Sequence, residues 1–143
     1  MSAQQAMQGD KHITRICEMH MEENRILYAR VFDGLDITLA DIEETNKAQK
    51  ELAGNEPFYV LANALDITLG HVDREAFSLN AADKTLTNKK AEAYVLNSLS
   101  VKLLVNFYVQ FFKPSVPVKI FNDIDEARAW LLEHKKLEEW RNS

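Results

Sequence analysis

Toward its C-terminal end the sequence alternates two short apolar segments with longer helix-like segments, and this alternation restricts the fold most. Residues 93–96 and 116–121 are rich in Val, Ile, Phe and Tyr and are bounded by turn residues, as is typical of buried strands. The segment 100–113 between them is too long for an ordinary strand, and Ser98 or Ser100 can begin a helix. We therefore predict a helix there, flanked by two strands.

The predicted helix at 100–113 has an unusually wide apolar surface. On a helical wheel its polar residues share an arc of roughly 80°, which leaves an apolar arc of about 240°. A helix packed on a sheet usually hides a stripe somewhat over 100° wide, so part of the apolar arc needs another cover. That cover is the chain's own loops or C-terminal helix, a homodimer interface, or an acyl chain or other apolar ligand. The candidate residues for an interface or apolar pocket are Leu103, Leu104, Phe107, Tyr108, Phe111 and Phe112.

The first half of the chain predicts a hairpin followed by a helix. Strand-like residues 12–21 and 25–32 are separated by Glu-Glu-Asn, which suits a hairpin turn. Thr-Leu-Ala-Asp at 38–41 resembles a capping box. It predicts a helix from there to about Ala53, with Gly54 as its end.

The remaining elements continue the alternation of strands and helices. Residues 58–62 form a continuous apolar run that predicts the centre of a sheet covered on both faces. Residues 63–72 are predicted as a loop, and Asp73 as the start of the next helix. After the last strand, Asn122 or Asp123 precedes an acidic first turn and predicts a final helix, which residues 133–141 can prolong.

The predicted order is therefore β-β-α-β-α-β-α-β-α in a single domain, residues 11–143, after a flexible tail of residues 1–10. Three consecutive strand–helix units imply parallel crossovers after an antiparallel hairpin. We therefore predict an α/β fold with a four- to five-stranded mixed sheet covered by helices.

Composition excludes several classes of protein. A formal charge of −5 argues against nucleic acid as a partner, and the basic residues Lys84, Lys89 and Lys90 are interpreted as a solvated loop. No apolar run is long enough to span a membrane. Residues 1–10 are polar and do not resemble a secretory signal. Cys17, the one cysteine, is expected to be a buried packing residue in a reducing, cytoplasmic protein.

A resemblance is carried by Phe-Lys-Pro-Ser-Val-Pro-Val-Lys-Ile-Phe at residues 112–121 and Glu-Ala-Arg-Ala-Trp-Leu at 126–131. These residues resemble the closing segment of small bacterial STAS-like proteins, and more specifically the SpoIIAA-like group of uncharacterised single-domain proteins. The resemblance implies a mixed sheet with helices largely on one side. It also implies a superfamily that includes anti-sigma-factor antagonists, transporter tail domains and, more distantly, lipid-transfer domains.

Those antagonists carry a phosphorylated serine at the start of the helix after the central strand. The corresponding stretch here is Gly-His-Val-Asp-Arg-Glu at 70–75, which has no Ser or Thr at the matching turn. We therefore expect no phosphoserine switch. Thr68 lies nearby and is interpreted as a turn or cap residue rather than a phosphoacceptor.

Motifs for catalysis or cofactor binding are missing from the sequence. There is no glycine-rich phosphate loop, and the four histidines form no close ligand pair, so we expect neither a cofactor nor a metal. The best place for a ligand or partner is the loop after the central strand, because open parallel sheets bind at the carboxyl ends of their strands. The candidate residues there are Asn63, Asp66, Thr68, His71 and Asp73.

Three functions remain open at this point. The first is a non-catalytic interaction or regulatory module, homodimeric, which acts through the apolar helix or the loop 63–73. The second is a carrier or sensor of an apolar small molecule or lipid, which a cavity lined by Leu103, Phe107 and Phe111 would support and tight packing of these residues would exclude. The third is an enzyme that uses His71 with Asp66 or Asp73 as an acid/base pair, although the remaining candidates in that loop are also explained as turn and cap residues.

Overall fold

A computed structural model describes residues 11–82 and 86–143 of the chain, with eight strands and four helices in those ranges. The predicted tail at 1–10 and Lys84 lie outside the described residues. The elements in chain order are β1 His12–Ile13, β2 Cys17–Met21, β3 Ile26–Val31, β4 Leu35–Ile37, α1 Leu39–Ala53, β5 Phe58–Ala64, β6 Leu69–Val72, α2 Arg74–Ala82, β7 Lys89–Leu96, α3 Leu99–Phe112, β8 Val118–Phe121 and α4 Ile124–Arg141.

The main sheet has six strands in the order β1-β2-β3-β5-β7-β8. The pairs β1–β2 and β2–β3 are antiparallel, whereas β3–β5, β5–β7 and β7–β8 are parallel. This confirms the mixed sheet and the place of β5 inside it, but the predicted strand number of four to five was too low. The extra strand arises because the Thr14 hydroxyl accepts hydrogen bonds from the backbone N–H groups of Ile16 and Cys17 and turns β1 back onto β2.

A second, two-stranded sheet pairs β4 with β6 in parallel. The prediction of an uninterrupted loop at 63–72 was therefore wrong, since β5 runs on to Ala64 and β6 follows within the same stretch. The short β6 contains Gly70, which reads as a turn signal in the sequence. A Cβ atom at Gly70 would lie only 2.1 Å from Asp36 Oδ1, so a larger residue there would have to displace the Asp36 side chain.

Local capping explains where the helices begin and end. Thr38 and Asp41 form the predicted capping box of α1, and the N–H of Gly54 closes that helix on the Lys50 carbonyl. Ser98 caps α3 and Asp123 caps α4 through their side-chain oxygens. These starts were predicted, and α4 does continue through residues 133–141.

Strand β7 begins earlier than the sequence suggested. Lys89 was interpreted as part of a solvated loop, but it is buried in β7, and its Nζ lies 2.5 Å from Glu92 Oε1. The ion pair explains the difference, because a lysine that finds a carboxylate can enter a core that would otherwise exclude its charge.

The two faces of the sheet have different covers. Side chains of Tyr59, Leu61, Ala93 and Val95 pack with α4 on one face. The opposite face, which carries Val60, Ala62 and Glu92, is covered by α1, α2 and α3. Within the described residues, none of the helices combines the length and apolar composition that crossing a membrane requires.

Candidate functional site

The predicted loop residues lie at or after the carboxyl end of β5, and hydrogen bonds, mostly to other parts of the chain, engage three of them. Asn63 donates to Tyr28 Oη at 2.8 Å and accepts from the Leu65 N–H at 3.1 Å. Asp66, with a φ of 60°, exchanges hydrogen bonds with the Asn97 side chain. Thr68 donates its N–H and its hydroxyl to Asp33 Oδ1. These contacts fix the turn.

His71 and Asp73 come together at the same edge of the molecule. His71 Nε2 lies 3.3 Å from Asp73 Oδ1, and the His71 side chain is 77% exposed. Asp66, the other suggested partner of His71, is engaged with Asn97 instead. The His71 side chain of this pair is thus open to water.

Helix α3 divides its apolar residues between two faces. Its outer face exposes Leu99 (71%), Leu103 (61%), Phe107 (41%) and Phe111 (65%), which follow one another at intervals of four residues. Such residues stand in one row along a helix. We call this row the outer stripe.

The other candidates on α3 point inward. Leu104 and Tyr108 line a cavity beneath the helix, and Phe112 stacks on Phe77 of α2 with ring centroids 5.3 Å apart. The six residues predicted as one surface or pocket therefore belong to two different environments. Leu103, Phe107 and Phe111 do not line that cavity.

The cavity lies between the sheet and the helices α1, α2 and α3, and its volume is about 160 Å³. Its wall is mostly apolar. The sheet supplies Ala29, Val60 and Ala62, and the helices supply Ile42 and Val105.

Buried polar groups interrupt this wall on its sheet side. Glu92, buried on β7, accepts a hydrogen bond from the Tyr94 hydroxyl at 2.6 Å in addition to its ion pair with Lys89. Burial, with the Glu92 carboxylate nearby, holds the pKa of Tyr94 well above its ordinary value. Both tyrosines of the cavity wall are therefore neutral, since burial also raises the pKa of Tyr108, whose hydroxyl accepts a hydrogen bond from Asn80.

Helix α1 contributes further polar groups to the cavity. Thr45 and Gln49 stand one turn apart on its buried face, and both line the cavity. Gln49 Oε1 is buried and accepts no hydrogen bond within the described part of the chain. Beside Thr45 lies Cys17, and burial raises the pKa of its thiol, so this cysteine stays a thiol and packs as a small hydrophobic residue.

Sequence reasoning missed the cavity residues of α1 and β7. From the sequence, the apolar residues Leu39, Ile42, Leu52 and Ala53 are the expected buried contacts of α1. A signal was nevertheless present, because Thr45 and Gln49 follow Ile42 at helical spacing and share its face. Glu92 could have been suspected as a lone carboxylate between apolar residues of a buried strand.

Metal binding finds no support in this geometry. Within residues 11–82 and 86–143, no three His, Cys, Asp or Glu side chains stand close enough together to hold a metal ion. The carboxylate inside the cavity, Glu92, is already paired with Lys89 and Tyr94.

Comparison with known proteins places the chain by fold and by family. It is similar to the crystal structure of an uncharacterized protein from the DUF3478 family with a SpoIIAA-like fold, from Shewanella loihica PV-4. The two share 19% sequence identity with a TM-score of 0.55, over 80% of this chain and 91% of the other.

This likeness confirms the SpoIIAA-like fold that the residues suggested. No curated protein matches the chain. The model of the family DUF7793, a domain of unknown function, matches residues 19–135, which is most of the sequence. The protein therefore belongs to the DUF7793 family.

Proposed function

We propose that this protein is a non-catalytic regulatory module of the STAS-like type that forms a homodimer through the outer stripe of α3. The observation that carries the proposal is the stripe itself. Among the described residues, half of the eight large hydrophobic side chains that are exposed lie in this one row. A contiguous exposed apolar row marks an interaction surface, whereas single exposed hydrophobic residues are normal.

A second copy of the chain fits this stripe well. Two stripes that meet antiparallel about a two-fold axis near Val105 would place Leu99 opposite Phe111 and Leu103 opposite Phe107. Each contact then pairs a leucine with a larger ring. Residues four apart form the ridges that pack into one another in the commonest class of helix–helix contact. An interface of this kind is self-complementary, as a two-fold dimer requires.

Charge at the ends of the stripe supports the same pairing. The only charged residue within α3 is Lys102, and the helix contains no carboxylate that would be brought against its own copy. In the antiparallel arrangement, Lys113 of one copy, just after α3, lies level with Asn97 of the other copy. The Asn97 side chain is hydrogen-bonded to Asp66 of its own chain, so the partner's Asp66 offers a negative charge to Lys113. An exposed pair of this kind adds little energy but favours one register.

Two observations support a function without catalysis and without a phosphoserine switch. The His71–Asp73 pair is exposed, so it lacks the desolvated surroundings that acid/base groups use. The Thr68 hydroxyl is engaged with Asp33, and a phosphate at Thr68 would stand against that carboxylate. We also place the protein in the cytoplasm, where the thiol of Cys17 would remain reduced.

The experiment compares Phe111→Asp with Trp140→Asp by analytical ultracentrifugation, with circular dichroism as the check on folding. Phe111 is in the stripe, whereas Trp140 is equally exposed but lies on α4, away from it. We expect the wild type and Trp140→Asp to sediment as dimers. We expect Phe111→Asp to be a folded monomer, because a desolvated aspartate is too costly at an interface.

Four results would contradict the proposal. A monomeric wild type would exclude self-association. A Phe111→Asp variant that stays dimeric would place the interface elsewhere, and an unfolded one would show that Phe111 belongs to the core. Loss of the dimer in Trp140→Asp alone would move the interface to α4.

A further inference from the structure

The cavity under α1, α2 and α3 is partly open to solvent and has the size of a small ligand. Its volume of about 160 Å³ is close to the roughly 150 Å³ of an engineered apolar cavity in another protein that stays dry and binds benzene. Protein interiors are otherwise packed with few voids larger than a water molecule. A space of this size inside a domain of 143 residues is therefore large enough to hold a small ligand.

Three side-chain atoms in the cavity wall, Thr45 Oγ1, Gln49 Oε1 and Glu92 Oε1, are buried without a hydrogen-bond partner among the described residues, and of these only Glu92 Oε1 is in an ion pair. Gln49 is 93% buried, since only 7% of its surface is exposed, and its Oε1 atom accepts no hydrogen bond within the described residues. Leaving a buried acceptor unpaired is unfavourable, and the great majority of such groups in native proteins have a partner. Gln49 Oε1 is therefore available to accept a hydrogen bond from a molecule bound in the cavity.

The Thr45 hydroxyl is a second acceptor for a donor on such a molecule, whereas the remaining polar groups are engaged. Each carboxylate oxygen of Glu92 already has one partner, Lys89 at 2.5 Å and Tyr94 at 2.6 Å. The Tyr108 hydroxyl is joined to Asn80. The charge of Glu92 is balanced by Lys89, so the cavity offers no free charge to a charged ligand, and an ion would lose its hydration without compensation.

We propose that this cavity binds a small uncharged molecule about the size of phenol, with an apolar body and one hydrogen-bond donor directed at Gln49 Oε1. Its apolar body contacts Val60, Ala62 and Val105. The class includes phenols and small cyclic alcohols or amides. Because α3 lines the cavity with Leu104 and Tyr108 and carries the outer stripe on its other face, this site is separate from the proposed dimer surface.

The test is a titration with phenol and with toluene, followed by methyl NMR. Toluene has nearly the shape of phenol but no donor, so the pair isolates the hydrogen bond. We expect saturable shifts of the Val60 and Val105 methyl signals. Val95, which is fully buried on the opposite face of the sheet, should not shift and serves as the internal control.

The variant Gln49→Leu tests the assigned acceptor. We expect it to change the ratio of phenol to toluene affinity by about tenfold toward toluene, the size expected for one hydrogen bond to a buried acceptor. An unchanged ratio would overturn the role of Gln49. Absence of saturable shifts at Val60 and Val105 with wild-type protein, or shifts confined to the outer stripe, would overturn the site itself.

A second variant, Ala62→Leu, fills the cavity from the sheet side and should weaken both ligands. Should this variant not fold, the residue-specific shifts of the wild type still decide the question. The Phe111→Asp variant should bind phenol as the wild type does. The experiments therefore distinguish an error in the proposed dimer from an error in the proposed cavity site.

Discussion

The two faces of the central sheet differ in how closely their side chains pack and in how many of the buried side chains are polar. On the α4 face, Leu61, Ala93, Val95, Ala127 and Leu131 are fully buried, and all are apolar. The face under α1, α2 and α3 contains a cavity and several buried polar side chains. The α4 face is packed like a typical protein interior, whereas the opposite face contains a cavity and buried hydrogen-bonding groups.

This difference indicates which face stabilises the fold and which face is available for function. Close packing of apolar side chains contributes stability directly. A buried ion pair such as Lys89–Glu92 gains little over an apolar pair of similar volume, because both charges lose their hydration. The buried ion pair of the cavity face is thus expected to add less stability than the apolar contacts of the α4 face.

The largest expected effect comes from breaking the ion pair of the cavity face. Glu92→Gln leaves Lys89 buried without its carboxylate, and we expect a loss of about 3–5 kcal/mol in the free energy of unfolding, measured in urea. The double variant Lys89→Met/Glu92→Leu should recover most of this loss. The control Arg30→Gln removes an exposed pair with Glu18 and should cost under about 1 kcal/mol. Equal losses for the two single variants would contradict the burial of the Lys89–Glu92 pair.

A smaller effect compares packing on the two faces. Leu131→Ala removes a fully buried side chain from α4, and we expect a loss of about 3 kcal/mol. Leu104→Ala removes a half-buried side chain that already borders a cavity, and we expect about 1 kcal/mol. Similar losses in the two variants would show that the faces are packed alike.

The next effect concerns the charges that hold the start of α1 on the cavity face. The Arg15 guanidinium lowers the pKa of Asp41 from its ordinary value to about 2, helped by the Thr38 N–H. Since the unfolded chain binds this proton more tightly, the stabilisation is complete above about pH 4 and is lost as the pH falls toward 2. We expect Asp41→Asn to be about 2 kcal/mol less stable at pH 6 and the gap to close at pH 2. A gap that is constant with pH would contradict the Arg15–Asp41 interaction.

The smallest effect is a gain in stability. Gln49→Leu removes a buried acceptor without a partner, and we expect the ligand-free protein to become about 1 kcal/mol more stable to urea. The control Lys47→Leu changes an exposed residue of the same helix and should stay within about 0.5 kcal/mol of the wild type. A loss of stability in Gln49→Leu would show that its amide is satisfied in the folded protein.

The helix starts and the parallel order of strands were accessible from the sequence because they depend on local signals. Thr38, Ser98 and Asp123 each accept a hydrogen bond at the first turn of their helix. Such a cap depends on only a few neighbouring residues, so it can be recognised in the sequence. The continuous apolar run of β5 likewise identified a strand inside the sheet, since only a strand buried on both faces reads that way.

The cavity was not accessible in the same way. Polar residues such as Thr45 and Gln49 usually face water, so the pattern of α1 concealed its buried face. The position of Lys89 was missed because its partner Glu92 becomes available only once β7 is formed. The division of α3 into an inner and an outer apolar face depends on how its neighbours pack, which periodicity alone cannot specify.

The central claim is that the outer stripe of α3 joins two copies of the chain. Native mass spectrometry of the protein purified from cells, compared with its denatured mass, tests this claim most directly. We predict a native mass of twice the 16.4 kDa of the chain. A native mass of one chain at every protein concentration would contradict the claim, and the outer stripe would then need a different partner.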